Sequence, residues 1–133
     1  MRYDDLLQAV INMAESAAGV PIVTGSLPPD NGIAMTGDAA SYPIFLDIGS
    51  NERLNVLCNG KNADQQTVIR QLDAIHAALT RRKNFPTGND WQIYAIETVS
   101  SPRLIGREQN PQAQWIYGSS LLVKINVKGI ESA

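Results

Sequence analysis

The chain has 133 residues, of which 44% are hydrophobic and 18% charged, and its formal net charge at neutral pH is −2. That length suits one domain, taken as residues 1–133, built around one core, and the composition excludes a disordered or a membrane-spanning chain. A negative balance argues against bulk capture of nucleic acid, which needs a basic face.

The opening residues MRYDDLLQAVINM do not read as a signal peptide. Asp4 and Asp5 stand where a positive n-region belongs, and no apolar h-region follows. No apolar run approaches membrane-spanning length, so synthesis and folding in a reducing cytoplasm, away from any membrane, are expected. Residues 3–18 predict an amphipathic helix. Tyr3, Leu6, Leu7, Val10, Ile11, Ala14 and Ala17 recur at helical spacing, and Asp4 and Asp5 sit in the first turn, where the helix dipole favours carboxylates. Gly19 followed by Pro21 is a stop signal.

Short strands are expected at 20–24, 33–37 and 44–48, separated by the turn-rich GSLPPDNG and by DAASYP. GSNE at 49–52 reads as a hairpin loop, and RLNVLCNG returns as a strand with Leu54, Val56 and Cys58 on one face. A single cysteine allows no intrachain disulfide, and this position predicts a small buried thiol. The spacing of Val68, Ile69, Leu72, Ile75 and Leu79 predicts a long helix over 63–83. Asn62 and Gln65 fit a capping box at its start, and Arg81, Arg82 and Lys83 oppose the negative dipole end. Residues 91–99 and 114–128 predict the last two strands. In the second of these, Trp115, Tyr117, Leu121, Val123, Ile125 and Val127 alternate with polar residues. Short connections favour antiparallel pairing, and each apolar helix stripe needs a sheet face. The expected fold class is therefore α+β: a single antiparallel or mixed sheet with two main helices packed on it.

Chemical motifs are absent. GK at 60–61 lacks the rest of a phosphate loop, and there is no HExxH, CxxC or GxSxG. One histidine and one cysteine give little from which to build a metal site. His76, three residues after Asp73, fits a boundary histidine satisfied by a local hydrogen bond better than an acid/base pair, because no nucleophile has a special context. No catalytic residue, metal or cofactor is assigned. Arg81, Arg82 and Lys83, with Phe85 and Trp91 nearby, form a candidate basic-aromatic patch or channel lining, against which dipole complementation and solubility are the simpler explanation.

Residues 101–113 read as a long polar loop bounded by Pro102 and Pro111, a length more often functional than not. The adjacent Leu104 and Ile105, flanked by Arg103 and Arg107, need cover from their own domain or from a neighbouring copy, and arginines beside large apolar residues suit an interface anchor. The following strand is long for its class. A strand that outruns its sheet must be covered, blunted by charge such as Lys124 and Lys128, or paired with another chain.

Taken in order, three stretches resemble phage minor capsid and tail-terminator-like proteins. They are LPPDNGIAMTG at 27–37; YPIFLDI followed by RLNVLCNGKNADQQTVIRQLDAIHAAL; and the closing IETVSSPRLIGREQNPQAQWIYGSSLLVKINV with Ser101, Pro102, Leu104, Ile105, Gly106, Arg107 and Glu108. The resemblance implies a non-enzymatic structural protein of a phage or prophage virion at the head–tail junction. Members form a homo-oligomeric ring, commonly a hexamer, that ends the tail tube, contacts the tube protein and the head connector, and lets DNA pass without specific binding. It implies Arg103, Leu104, Ile105, Arg107, Trp115 and Tyr117 as candidate subunit-interface residues. Another head–tail completion protein and a small nucleic-acid-binding module stand as alternatives.

Overall fold

The computed structural model describes residues 3–38, 50–88, 90–109 and 113–127. Its elements, in chain order, are α1 (Tyr3–Ala18), β1 (Ile22–Thr24), β2 (Gly32–Asp38), β3 (Ser50–Asn62), α2 (Gln65–Thr80), β4 (Trp91–Arg107) and β5 (Trp115–Val127). The strand expected at 44–48 lies outside the described residues. The expected hairpin loop at 49–52 is corrected in part: residues 50–52 are already strand, paired with Val127, Asn126 and Ile125.

The strands form one sheet in the order β1-β2-β3-β5-β4. The sheet is mixed, because β1 pairs with β2 in parallel while β2–β3, β3–β5 and β4–β5 are antiparallel. Parallel neighbours normally need a crossover of a dozen residues or more. Here β1 is only 3 residues long, so the segment 25–31 can run back along it without a helix. Gly25 makes the reversal at a φ of +96° and donates its N–H to the Met35 carbonyl at 3.0 Å.

Helix α1 ends as its sequence demands. Gly19 takes a φ of +73° and its N–H reaches the Glu15 carbonyl at 2.9 Å, a left-handed stop that glycine adopts without steric cost. The Glu15 carboxylate accepts from the Ile22 amide at 2.9 Å, fixing the start of β1. Helix α2 is shorter than the spacing suggested. Asp64 is its N-cap residue, and Asn62 caps the approach by accepting from the Asp64 amide at 2.9 Å. The expected Asn62–Gln65 box does not form; Gln65 instead donates to the Tyr117 hydroxyl at 2.6 Å. Arg81 is the C-cap, so Arg82 and Lys83 lie beyond the helix.

Both helices pack on one face of the sheet. Leu6, Val10 and Ile11 of α1 and Val68, Leu72, Ile75 and Leu79 of α2 meet Ile33, Met35, Leu54, Val56, Cys58, Ile93, Ile96, Leu121, Val123 and Ile125 in a single core. The alternation of β5 is as expected, with Leu121, Val123 and Ile125 fully buried. Its place in the sheet is not. β5 is an inner strand, paired with β3 from Val127 to Trp115 and with β4 over the same span. The expectation that it outruns its sheet is corrected: its backbone groups are used on both sides. Lys124 does not blunt an edge but pairs with Glu97 at 2.5 Å.

Candidate assembly surface

The residues expected to form a loop at 101–113 are mostly strand. β4 continues through Ser101–Pro102–Arg103 to Arg107 and is 17 residues long, leaving only 108–114 as the connection to β5. It remained hidden in the sequence because its register against β5 shifts between Ile93 and Ala95, Thr98 and Ser100, Ser100 and Arg103, and Leu104 and Gly106. Each extra residue breaks the period-two pattern and bends the strand. Pro102 is tolerated because β4 is the edge strand and its outer side needs no ladder donor.

Among the described residues no helix covers the second face of the sheet. Exposed apolar side chains collect there and along β4: Leu57 and Leu104 are 50% exposed, Val99 and Ile105 60%. Leu104 stands opposite Tyr117 and Arg103 opposite Gly118. Ile105 lies across Gly118, where an added Cβ would come within 2.5 Å of its Cδ1. Beside this contact lies a shallow hollow of about 220 Å³, lined by Leu57, Asn59, Ser100, Arg103, Ile105 and Ser120 among others. Leu57 is a functional candidate missed in the sequence. It carried a signal, since it is a large aliphatic on the polar parity of a strand whose core residues are Leu54, Val56 and Cys58.

The other anchors expected from the sequence are engaged within their own chain. The Arg107 guanidinium lies 4.6 Å from the centroid of the Trp115 ring, and its Nε donates to the Ala113 carbonyl at 3.2 Å. Tyr117 is 7% exposed and belongs to the core. These two, with Trp115, brace the end of the hairpin. Arg103, Leu104, Ile105 and Arg107 are exposed, and of these Arg107 is held by Trp115 and the Ala113 carbonyl. Arg81, Arg82 and Lys83 are exposed, and Arg82 donates to the Asn84 carbonyl at 2.6 Å.

The hairpin tip is held by a network that the sequence did not reveal. Glu108 donates its N–H to the Gln114 carbonyl at 2.8 Å. Lys61 of β3, a residue only 7% exposed, places its Nζ 3.3 Å from Glu108 Oε2. The Gln114 side chain accepts from the Asn31 amide at 2.9 Å, and the Asn31 side chain accepts from the Ala63 amide at 3.0 Å. Removing one partner of a buried pair strands the other charge. The Glu108→Ala protein is expected to lose about 2–3 kcal/mol, somewhat less than for a fully buried pair because Glu108 retains some water contact. Urea denaturation checks this. A loss below about 0.5 kcal/mol would show that the pair is solvated.

His76 takes a structural place. Its Nδ1 is 2.8 Å from the Thr98 hydroxyl of β4, and its Nε2 is buried without a partner among the described residues. Burial pushes its pKa below the usual 6.5, and Asp73 partly opposes this. An unfolded chain then binds the proton more readily than the folded one. The resulting stability is fully present above 6.5 and is lost as pH falls through the lower folded value. The urea midpoint is expected to drop between pH 7.5 and 5.5, and the drop should be smaller in the His76→Gln protein; equal drops would remove His76 as the cause. Cys58 is fully buried, and burial pushes its thiol up to about 12, with the Ser119 hydroxyl acting in the opposite sense.

No family model matches the sequence, and no curated protein matches it. A solved structure, the virion of a native gene transfer agent (GTA) particle, contains a chain that superposes with a TM-score of 0.62, covering 91% of this chain and 94% of that one at 12% sequence identity. The two chains share a fold. The match runs nearly end to end in both. Among the described residues no helix is long and apolar enough to cross a membrane.

Proposed function

We propose that this chain is a structural protein of a phage or prophage virion, a tail terminator that closes with copies of itself into a ring, ends the tail tube and gives the head connector a docking surface. The observation that carries the reading is the edge strand β4, which presents Val99, Leu104 and Ile105 to solvent in the isolated subunit. Long exposed edges invite pairing with another chain unless something blunts them, and aliphatics beside an arginine suit burial in an interface. The shared fold with a chain of a gene transfer agent virion supports the same reading. In it the protein has no bond-making role, His76 and Cys58 serve the core, and DNA passes through the ring without specific binding.

A closed ring uses heterologous contacts, in which one patch meets a different patch, and each contact needs roughly 800 Å² per partner. The test is native mass measurement with negative-stain imaging of the purified protein over a wide concentration range, alone and with the tail tube protein. Closed rings, commonly of six subunits in the proteins it resembles, are the expected result. A protein that stays monomeric under both conditions overturns the proposal.

A further inference from the structure

The hollow on the uncovered sheet face combines polar side chains with one arginine. The register shift between Ser100 and Arg103 sets Ser101 and Pro102 against the single Ser119, one extra residue on β4, and Ser100 and Arg103 both line the same depression. Across it stand the Asn59 amide and the Ser120 hydroxyl, and Leu57 and Ile105 give it apolar sides. Donors are plentiful and no carboxylate lines it. Arg103 is its charged residue and makes no hydrogen bond or ion pair with the described residues. Arginine beside a carboxylate makes a strong charge-assisted contact.

Among the described residues Asp30 is a carboxylate that matches this demand. Glu15, Asp64, Glu97 and Glu108 are engaged within their own subunit by an amide, a hydroxyl or a lysine, Asp4, Asp5, Glu52 and Asp90 have other contacts, and Asp73 lies on α2, over the helix-covered face of the sheet. Asp30 is exposed and makes no such contact among the described residues. It sits in the segment 25–31, which joins the edge strand β1 to β2, whereas Arg103 lies on β4, the opposite edge strand. The segment is also presented in a fixed form. Pro28 and Pro29 restrict its backbone, and Asn31 is tied through its amide to Gln114 and through its side chain to Ala63. A pre-organised loop loses little entropy on docking. Leu27 and Pro29 flank Asp30 with apolar surface to set against Leu57 and Ile105.

We infer that the 27–30 loop of one copy of this chain docks on the hollow of the next, with Asp30 paired to Arg103 of the partner subunit, so that the β1 side of each subunit meets the β4 side of its neighbour. The inference rests on the self-assembly reading above and specifies its contact. A head-to-tail contact of this kind joins different patches and can therefore close a ring.

Charge exchange and cross-linking test it. Native mass is measured for the wild type, Arg103→Asp, Asp30→Arg and the double exchange, with far-UV circular dichroism confirming that each is folded. Both residues are exposed and without a partner among the described residues, so their replacement strands no buried charge there. Each single exchange is expected to weaken self-association at least about tenfold, and the double exchange to recover most of it. Oxidation of an equimolar mixture of the Asp30→Cys and Arg103→Cys proteins is expected to yield a disulfide-linked dimer that neither forms alone; Cys58 is buried and stays out of the reaction. If the wild type assembles while single exchanges associate normally, or if the mixture gives no cross-link, the pairing is wrong and self-assembly still stands. A cross-link formed by either variant alone also overturns the pairing, because like edges would then be meeting. A wild type that is monomeric throughout, with and without the tube protein, overturns the assembly reading and the pairing together.

Discussion

The Leu104→Asp/Ile105→Asp protein is expected to remain a folded monomer and to form no ring. In the isolated subunit the two side chains are 50% and 60% exposed, and surface replacements of that kind change stability by about 0.5 kcal/mol or less. Its urea midpoint should match that of the wild type. In an assembled ring the same positions would be buried, so the change removes apolar burial worth about 1.5–3 kcal/mol for each fully covered side chain. It also forces two carboxylates out of water, at a further cost of several kcal/mol. A micromolar contact is worth about 8 kcal/mol, so these losses together exceed what such a contact can absorb. Native mass measurement decides it. A double variant that still runs as the wild-type oligomer would place the interface elsewhere than on the distal half of β4.

Replacing Leu121 with alanine is expected to act in the opposite way, lowering the stability of the subunit before it touches its surface. Leu121 is fully buried at the middle of β5, where it lies opposite Val56 on one side and Thr98 on the other. The helices above and the strands to either side restrict how far the site can collapse. The expected loss is about 3–4 kcal/mol from lost transfer energy and the cavity left behind. That is a large part of the roughly 5–15 kcal/mol that holds a domain together, and the melting temperature should fall by about 10–15 °C. Differential scanning calorimetry of the variant and of Leu57→Ala provides the contrast, since Leu57 is half exposed and its truncation should shift the melt by only a few degrees. Equal shifts would mean that Leu57 also supports the subunit's own fold.

The two helices and the core faces of β3 and β5 were legible because each is strictly periodic. The helix stripes Leu6–Val10–Ile11 and Val68–Leu72–Ile75–Leu79 repeat at 3.6 residues, and Leu54–Val56–Cys58 and Leu121–Val123–Ile125 at two. A local pattern of this kind reports directly which side of an element faces the core. The second half of β4 was not legible. Its bulges, Pro102 and Gly106 interrupt the alternation, and only pairing with β5 holds those residues in a ladder. The expected exposed ribbon was therefore assigned to the wrong strand. It is β4 and not β5 that lies at the edge, and Arg103, Leu104 and Ile105, expected as interface anchors, are exposed on it.

The sequence alone determined the class of the protein: two amphipathic helices, a set of alternating strands, one buried thiol, and no arrangement of residues with the spacing of a known catalytic or metal motif. It did so because those features depend on neighbours a few residues apart. The tertiary structure decided the parallel start of the sheet, the central place of β5, the ion pair between Lys61 and Glu108, and the packing of Ile105 over Gly118. Each of these joins residues distant along the chain, and their proximity is set by strand order and register, which no local pattern of side chains encodes.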